Sequence, residues 1–156
     1  MNDQQPAARQ PVRARLAVRV HSAAIGELEG FVRMFAADHG IAADDQARMR
    51  IMLEELLTNL SKYGYPDRNE REGLAEVNLE LAGNQLVIEF GDDGQAFDPL
   101  AKASPDLEQS IRSRPVGGLG LHIVRALADE AQYSRRDDRN VIRLSRRVSL
   151  IKSAGP

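Results

Sequence analysis

From Asp44 to Pro66 the apolar residues Met49, Met52, Leu53, Leu56, Leu57 and Leu60 recur at helical spacing, and this stripe constrains the fold more than any other feature. It predicts one amphipathic helix with a broad buried face and a polar face in water. Asp44 or Asp45 is placed to cap its start, and Gly64 followed by Pro66 stops its far end. Glu55, Asn59 and Lys62 fall at i, i+4 and i+7, stacked along the polar face. A carboxylate, an amide oxygen and an ammonium in a row suit a metal-bound polyphosphate. The amide can ligate a hard cation, the ammonium can meet phosphate, and the carboxylate can polarise a hydroxyl nucleophile. Polar residues at this spacing describe a solvated surface equally well, so the rest of the chain has to decide.

The chain of 156 residues is long enough for one domain with a real core and short for two. Its aromatic content of 4% makes that core aliphatic. A net charge of −2 gives no general pull toward nucleic acid, and the lack of cysteine removes disulfides, thiolate nucleophiles and cysteine zinc sites. His21, His39 and His122 are scattered without ligand spacing. With no apolar run of membrane-spanning length and no apolar segment after the start, a cytoplasmic protein with no direct nucleic-acid or membrane partner is expected.

In chain order, residues 1–12 read as a disordered tail, 13–148 as the folded domain and 149–156 as a frayed tail. Arg13 to Val20 alternates as a half-buried strand. Ser22 can cap a helix in which Ile25, Leu28, Val32 and Phe35 share a face, ending near Gly40. After the central helix and a charged turn at Arg68 to Gly73, Ala75, Val77, Leu79 and Leu81 alternate in a second strand. Gly83-Asn84 then turns the chain into a third strand, Leu86 to Phe90. Ala131 to Arg136 and Asn140 to Val148 form a closing hairpin rich in arginine, suited to an acidic partner or simply to a solvated, protected edge.

Two glycine-bearing stretches complete the pattern. Behind the third strand comes Gly91-Asp92-Asp93-Gly94-Gln95-Ala96-Phe97-Asp98-Pro99, where an acid can accept from a ligand's exocyclic amine and Gly94 lets backbone approach a flat ring, although an ordinary Asp-Gly turn reads the same way. Leu100 to Val116 reads as a long loop of the kind that covers active sites, with Arg112 and Arg114 as phosphate clamps or plain loop charges. Gly117-Gly118-Leu119-Gly120-Leu121 then opens an apolar helix and bares its first-turn amides to an anion, or serves as a hinge and helix start. No Gly-Lys-Ser/Thr is present, and Gly118-x-Gly120 follows a loop with Ile123 where a third glycine or alanine would be, which argues against Walker and Rossmann sites. His122 is a polar residue on that helix's flank.

Jointly, Glu55-x-x-x-Asn59, Asp92-x-Gly94-x-Ala96-Phe97 and Gly117-Gly118-Leu119-Gly120-Leu121 resemble the asparagine box and two glycine boxes of the GHKL (Bergerat-fold) ATPase and kinase superfamily. The nearest resemblance is to the small anti-sigma factor serine/threonine-protein kinases, the RsbW-like group, which share the Ala-Phe-Asp-Pro run after the first glycine box. That resemblance implies a two-layer α/β sandwich, a mixed, mainly antiparallel sheet with helices on one face. It implies ATP and Mg²⁺ as cofactors, with Asn59 binding the metal, Glu55 as general base, Asp92 accepting from the adenine amine and Gly94 admitting the ring. Ala96 and Phe97 would border the nucleotide, the amides of Gly117, Gly118, Leu119, Gly120 and Leu121 would hold phosphates, and Lys62 would touch phosphate. The anti-sigma kinases commonly carry His where this chain has Tyr63, an aromatic of the kind that lies near adenine in histidine kinases. Implied partners are a STAS-domain anti-sigma factor antagonist as substrate, a sigma factor or other effector, and a second copy in a homodimer. The alternatives are an ATP-gated binding switch that transfers phosphate weakly, and a stand-alone ATPase domain of a histidine-kinase-related system.

Overall fold

The computed structural model describes residues 10–66, 73–101 and 119–151. Five strands form one sheet in the order β1-β2-β3-β5-β4: β1 Val12–Arg19, β2 Leu74–Ala82, β3 Gln85–Asp92, β4 Glu130–Arg136 and β5 Arg139–Arg147. All four neighbouring pairs are antiparallel, so the expected mixed sheet is antiparallel throughout its described strands. Helices α1 Ala24–His39, α2 Ala43–Tyr63 and α3 Leu119–Leu127 pack on one face, giving the two-layer α/β sandwich.

Alternation decides which face they cover. Val77, Leu79 and Leu81 on β2, Leu86, Ile88 and Phe90 on β3, and Ile142 and Leu144 on β5 point to the helices and are buried. The opposite face carries cross-strand ion pairs such as Arg13–Glu80 and Arg143–Glu89. The stripe on α2 meets this apolar layer, with Met49, Met52 and Leu53 at 0% exposure. Burial of each such side chain contributes about 2 kcal/mol.

Both helix starts differ from expectation. His21, not Ser22, organises the entry to α1: its Nδ1 accepts from the Ala23 amide at 3.1 Å and its carbonyl accepts from Ala24. The buried stripe begins at Ala24, which leaves Ile25 on the flank and 41% exposed. At the start of α2, Ala42 holds the cap position without a side-chain bond. The Asp45 carboxylate is drawn inward instead, where it meets Arg48 and Arg146 through Oδ1 and the Ser149 amide through Oδ2. Gly40 ends α1 as expected, at φ 67°, a left-handed conformation that glycine adopts without a side-chain penalty.

The chain is also paired beyond the expected start of its C-terminal tail. Ala42 donates to the Ser149 carbonyl, Ile151 donates to Gly40, and Ile41 bridges Leu150, so residues 149–151 close against the connector between α1 and α2. Arg146 donates to the Leu127 carbonyl as well as to Asp45, tying the last turn of α3 to the first turn of α2. No described helix is long and apolar enough to cross a membrane.

Candidate functional site

A cleft opens between the C-terminal half of α2, the end of β3 and the first turn of α3. Leu56 and Leu60 line its floor from the same turns that carry Glu55 and Asn59, so the helix buries apolar side chains and presents polar ones from adjacent positions. The Asn59 Nδ2 donates to the Glu55 carbonyl at 2.7 Å, one turn back on α2. Its amide nitrogen is thereby engaged within the helix, and its oxygen is the end free to meet a cation.

Glu55 lies against α3. A Cβ built on Gly120 would stand 1.9 Å from Glu55 Oε2, so the carboxylate occupies the space that any other residue at position 120 would claim. The expected base and the glycine-led helix are thus in direct apposition, and Gly120 is there because the two approach so closely. Lys62 is exposed and is not among the residues lining the cleft, whereas Tyr63, one position on, borders it.

At the end of β3 stands Asp92, two residues past the strand expected from the sequence, at 5% exposure. Its Oδ1 accepts from the Gly94 amide at 2.9 Å and from Asn140 Nδ2 at 2.8 Å. Its Oδ2 takes no hydrogen bond among the described residues, yet is not sealed off, and Asp92 borders the cleft. Burial pushes this carboxyl above the usual range, aided by neighbouring Asp93, while the Asn140 and Gly94 bonds and the Arg135 charge oppose the rise.

Gly94 is crowded rather than open. A Cβ there would meet Asp92 Oδ1 at 2.9 Å, Leu60 Cδ1 at 3.0 Å and the Gly64 carbonyl at 3.1 Å. The smallness of Gly94 thus brings its loop flush against the end of α2, where the Gln95 amide donates to the Gly64 carbonyl at 2.9 Å and its side chain to the Tyr63 carbonyl at 2.7 Å. Ala96 is exposed on that loop, and Phe97 is half-buried and lines the cleft. On the far side Leu121 is buried and also lines it. Leu119 is the first residue of α3. Gly117, Gly118, Arg112 and Arg114 lie outside the described residues, as does the expected loop after Ala101.

Sequence reasoning missed Asn140. At 4% exposure it sits opposite Asp92 in the β3–β5 ladder, with Nδ2 donating to Asp92 and to the Gln95 carbonyl at 2.9 Å. Its Oδ1 accepts from the Phe97 amide at 3.3 Å, Tyr133 Oη at 2.9 Å and Arg135 at 2.9 Å. The signal was present: Asn140 is in phase with buried Ile142 and Leu144, and an amide on the core side of a strand needs a partner there.

These groups assemble an acceptor at the end of a strand, an amide oxygen and a carboxylate on one helix, and the first turn of a second helix. Comparison with known proteins points the same way. A histidine kinase-like ATPase domain matches residues 18–146. The chain is 30% identical over 107 residues to serine-protein kinase RsbW of Bacillus cereus strain AH820, covering 66% of this chain and 65% of that protein. It is 30% identical over 95 residues to serine-protein kinase RsbW of Staphylococcus aureus strain MRSA252, covering 58% and 59%. The chain thus spans about 65% of the length of the first of these relatives and less of the second. The crystal structure of the RsbU and RsbW domains of Rv1364c from Mycobacterium tuberculosis superposes on 88% of this chain and 32% of that one, with a TM-score of 0.63 at 19% identity, a likeness of fold.

Proposed function

Because the chain belongs to the histidine kinase-like ATPase domain family, we propose that it binds ATP with Mg²⁺ and acts as a serine/threonine-protein kinase of a partner-switching regulatory system. The substrate would be a STAS-domain anti-sigma factor antagonist, and a sigma factor or other effector would be the partner sequestered in turn. The relatives named serine-protein kinase RsbW support this assignment of class, and self-association as a homodimer belongs to the same proposal. The observation that carries it is the convergence of Asn59 and Asp92 on one cleft faced by the first turn of α3, with Glu55 set beside that turn one helical turn before Asn59.

The residues present fit the nucleotide and its metal. Asp92 Oδ2 is an open acceptor for a 6-amino group, and Phe97 and Leu60 offer apolar surface to a ring. Asn59 Oδ1 would ligate Mg²⁺, which when bound neutralises phosphate charge. The amides of Gly120 and Leu121 lie in the first turn of α3, where backbone donors and the helix dipole favour anions. Gly117 and Gly118 would extend that cradle, with Lys62 and Tyr63 at the rim and Ala96 beside the ring. Glu55 would accept the proton of the attacking hydroxyl, and its place beside α3 would set that hydroxyl close to the anion site.

Calorimetric titration of ATP with and without Mg²⁺ tests the site. Metal-enhanced binding is expected, weakened in Asn59→Ala and lost in Asp92→Ala. Transfer of labelled phosphate to a STAS-domain protein tests the activity, and Glu55→Gln is expected to lower it by about 10²-fold or more with ATP still bound. A folded wild-type protein that binds no adenine nucleotide ends the kinase reading. Partner exchange that survives Glu55→Gln while no phosphate moves replaces it with a nucleotide-gated switch.

A further inference from the structure

The amide of Asn140 cannot turn over. Its oxygen side faces three donors, the Phe97 amide, the Tyr133 hydroxyl and the Arg135 guanidinium, and a guanidinium accepts nothing. Its nitrogen side faces two acceptors, Asp92 Oδ1 and the Gln95 carbonyl. Arg135 is itself held by the Gly94 carbonyl at 3.0 Å, so the lock extends from β4 through β5 to the loop after β3.

The consequence falls on the two oxygens of Asp92. Oδ1 receives two N–H groups, from Asn140 and Gly94, and has to remain an acceptor. A proton on this carboxyl therefore has only Oδ2 to occupy, the atom left toward the cleft. Ionised, Oδ2 attracts an exocyclic amine and repels a carbonyl oxygen. With both hydrogens committed, Asn140 has none left for a ligand and acts through Asp92.

We propose that Asn140 is the positioning residue that sets base specificity: by clamping Asp92 Oδ1 as an acceptor, it makes Oδ2 the atom that reads the ring and selects a 6-aminopurine over a 6-oxopurine. The inference rests on the nucleotide reading above and deepens it. The titratable and charged groups facing Asp92 are its neighbour Asp93, Tyr65 just past the end of α2 and Arg135 from β4; burial favours the neutral carboxyl, and of the groups that hold the acceptor form against it, Asn140, Gly94 and Arg135, Asn140 contributes most.

The test is equilibrium binding of ATP and of inosine triphosphate, each with Mg²⁺, to the full chain between pH 6 and pH 8. Wild type is expected to favour ATP with a ratio that is flat across this range. In Asn140→Ala the ratio is expected to fall tenfold or more and to climb with pH as the freed carboxyl ionises, with Asn140→Ser recovering part of the loss. Arg135→Met removes one donor from the lock without opening the buried ladder and is expected to lower the ratio about threefold, which keeps the test decisive if Asn140→Ala fails to fold. ATP binding with an unchanged, pH-independent ratio in the folded variants overturns the inference and leaves the nucleotide site standing. Binding of neither nucleotide by wild type overturns both.

Discussion

Asp45 and Asp92 are buried almost equally, at 4% and 5% exposure, and the chain finishes them in opposite ways. Asp45 uses both oxygens: Arg48 at 3.1 Å and Arg146 at 3.2 Å on Oδ1, the Ser149 amide at 2.7 Å on Oδ2. Burial alone would raise its carboxyl, but the Ser149 bond and the two arginines outweigh that and hold it below its ordinary value. Asp92 has two neutral donors on one oxygen, an open second oxygen and a carboxyl that burial keeps above its ordinary value. A buried acid completed by its own chain is part of the scaffold. One left half-complete at a cleft keeps an acceptor to spare, and its desolvation is a standing cost to the fold.

The largest expected effect breaks this contrast most directly. Asp45→Ala leaves Arg146 partly buried without its carboxylate and is expected to cost about 3–5 kcal/mol, whereas Asp92→Asn, which removes a charge that the fold does not neutralise, stays within about 1 kcal/mol of wild type or exceeds it. Urea unfolding measures both, and equal losses at the two sites would erase the distinction.

Acidity sharpens it. With its folded pKa below the ordinary 3.8, Asp45 lends stability that is present above that value and is lost as pH falls through the folded pKa. With its folded pKa above 3.8, Asp92 works the other way: its contribution is whole below 3.8 and is lost as pH rises through the folded pKa. The stability deficit of Asp45→Asn should therefore shrink below about pH 4, and any gain in Asp92→Asn should appear only above that range. Unfolding midpoints of the two variants against wild type from pH 3 to pH 7 give both slopes, and slopes of the same sign would contradict the contrast.

The smallest effect concerns the cleft alone. Gly120→Ala places a methyl where Glu55 Oε2 now sits, and the far end of a side chain can yield. Stability should change by about 1 kcal/mol or less while phosphate transfer drops about tenfold, because the displaced group is the proposed base. Unfolding and transfer assays on one preparation separate the two, and unaltered transfer would remove Glu55 from the chemistry.

Much of this was legible in the sequence wherever periodicity carried the message. The α2 stripe, the alternation of β2 and β3 and the glycine ending α1 follow from local spacing, and so does the stacking of Glu55 and Asn59. What could not be seen depended on distance along the chain. Asp45 looked like a helix cap because its partner Arg146 is 101 residues away. Asn140 read only as the first residue of a strand, just after Asp137 and Asp138, at φ 48° and 60°, reverse the chain, because its partner Asp92 comes from another hairpin. Gly94 pointed to a close approach, but the neighbours that it meets, Leu60 and Gly64, follow only from packing the loop on α2. The family resemblance supplied the expected roles of the boxes, and the geometry added the lock behind one of them.

Arg146 has a mechanical consequence. It pins the last turn of α3 to the first turn of α2, at the end of α3 away from Gly120, and Arg125 adds a tether to the Leu100 carbonyl at 3.2 Å. The nine residues of α3 then form a lever about 13 Å long, and a tilt of about 5° at the pinned end carries the tip about 1 Å. Its fulcrum lies at one extremity and its working end faces Glu55, so small adjustments in packing around Leu127 are magnified where the carboxylate and the glycine helix meet.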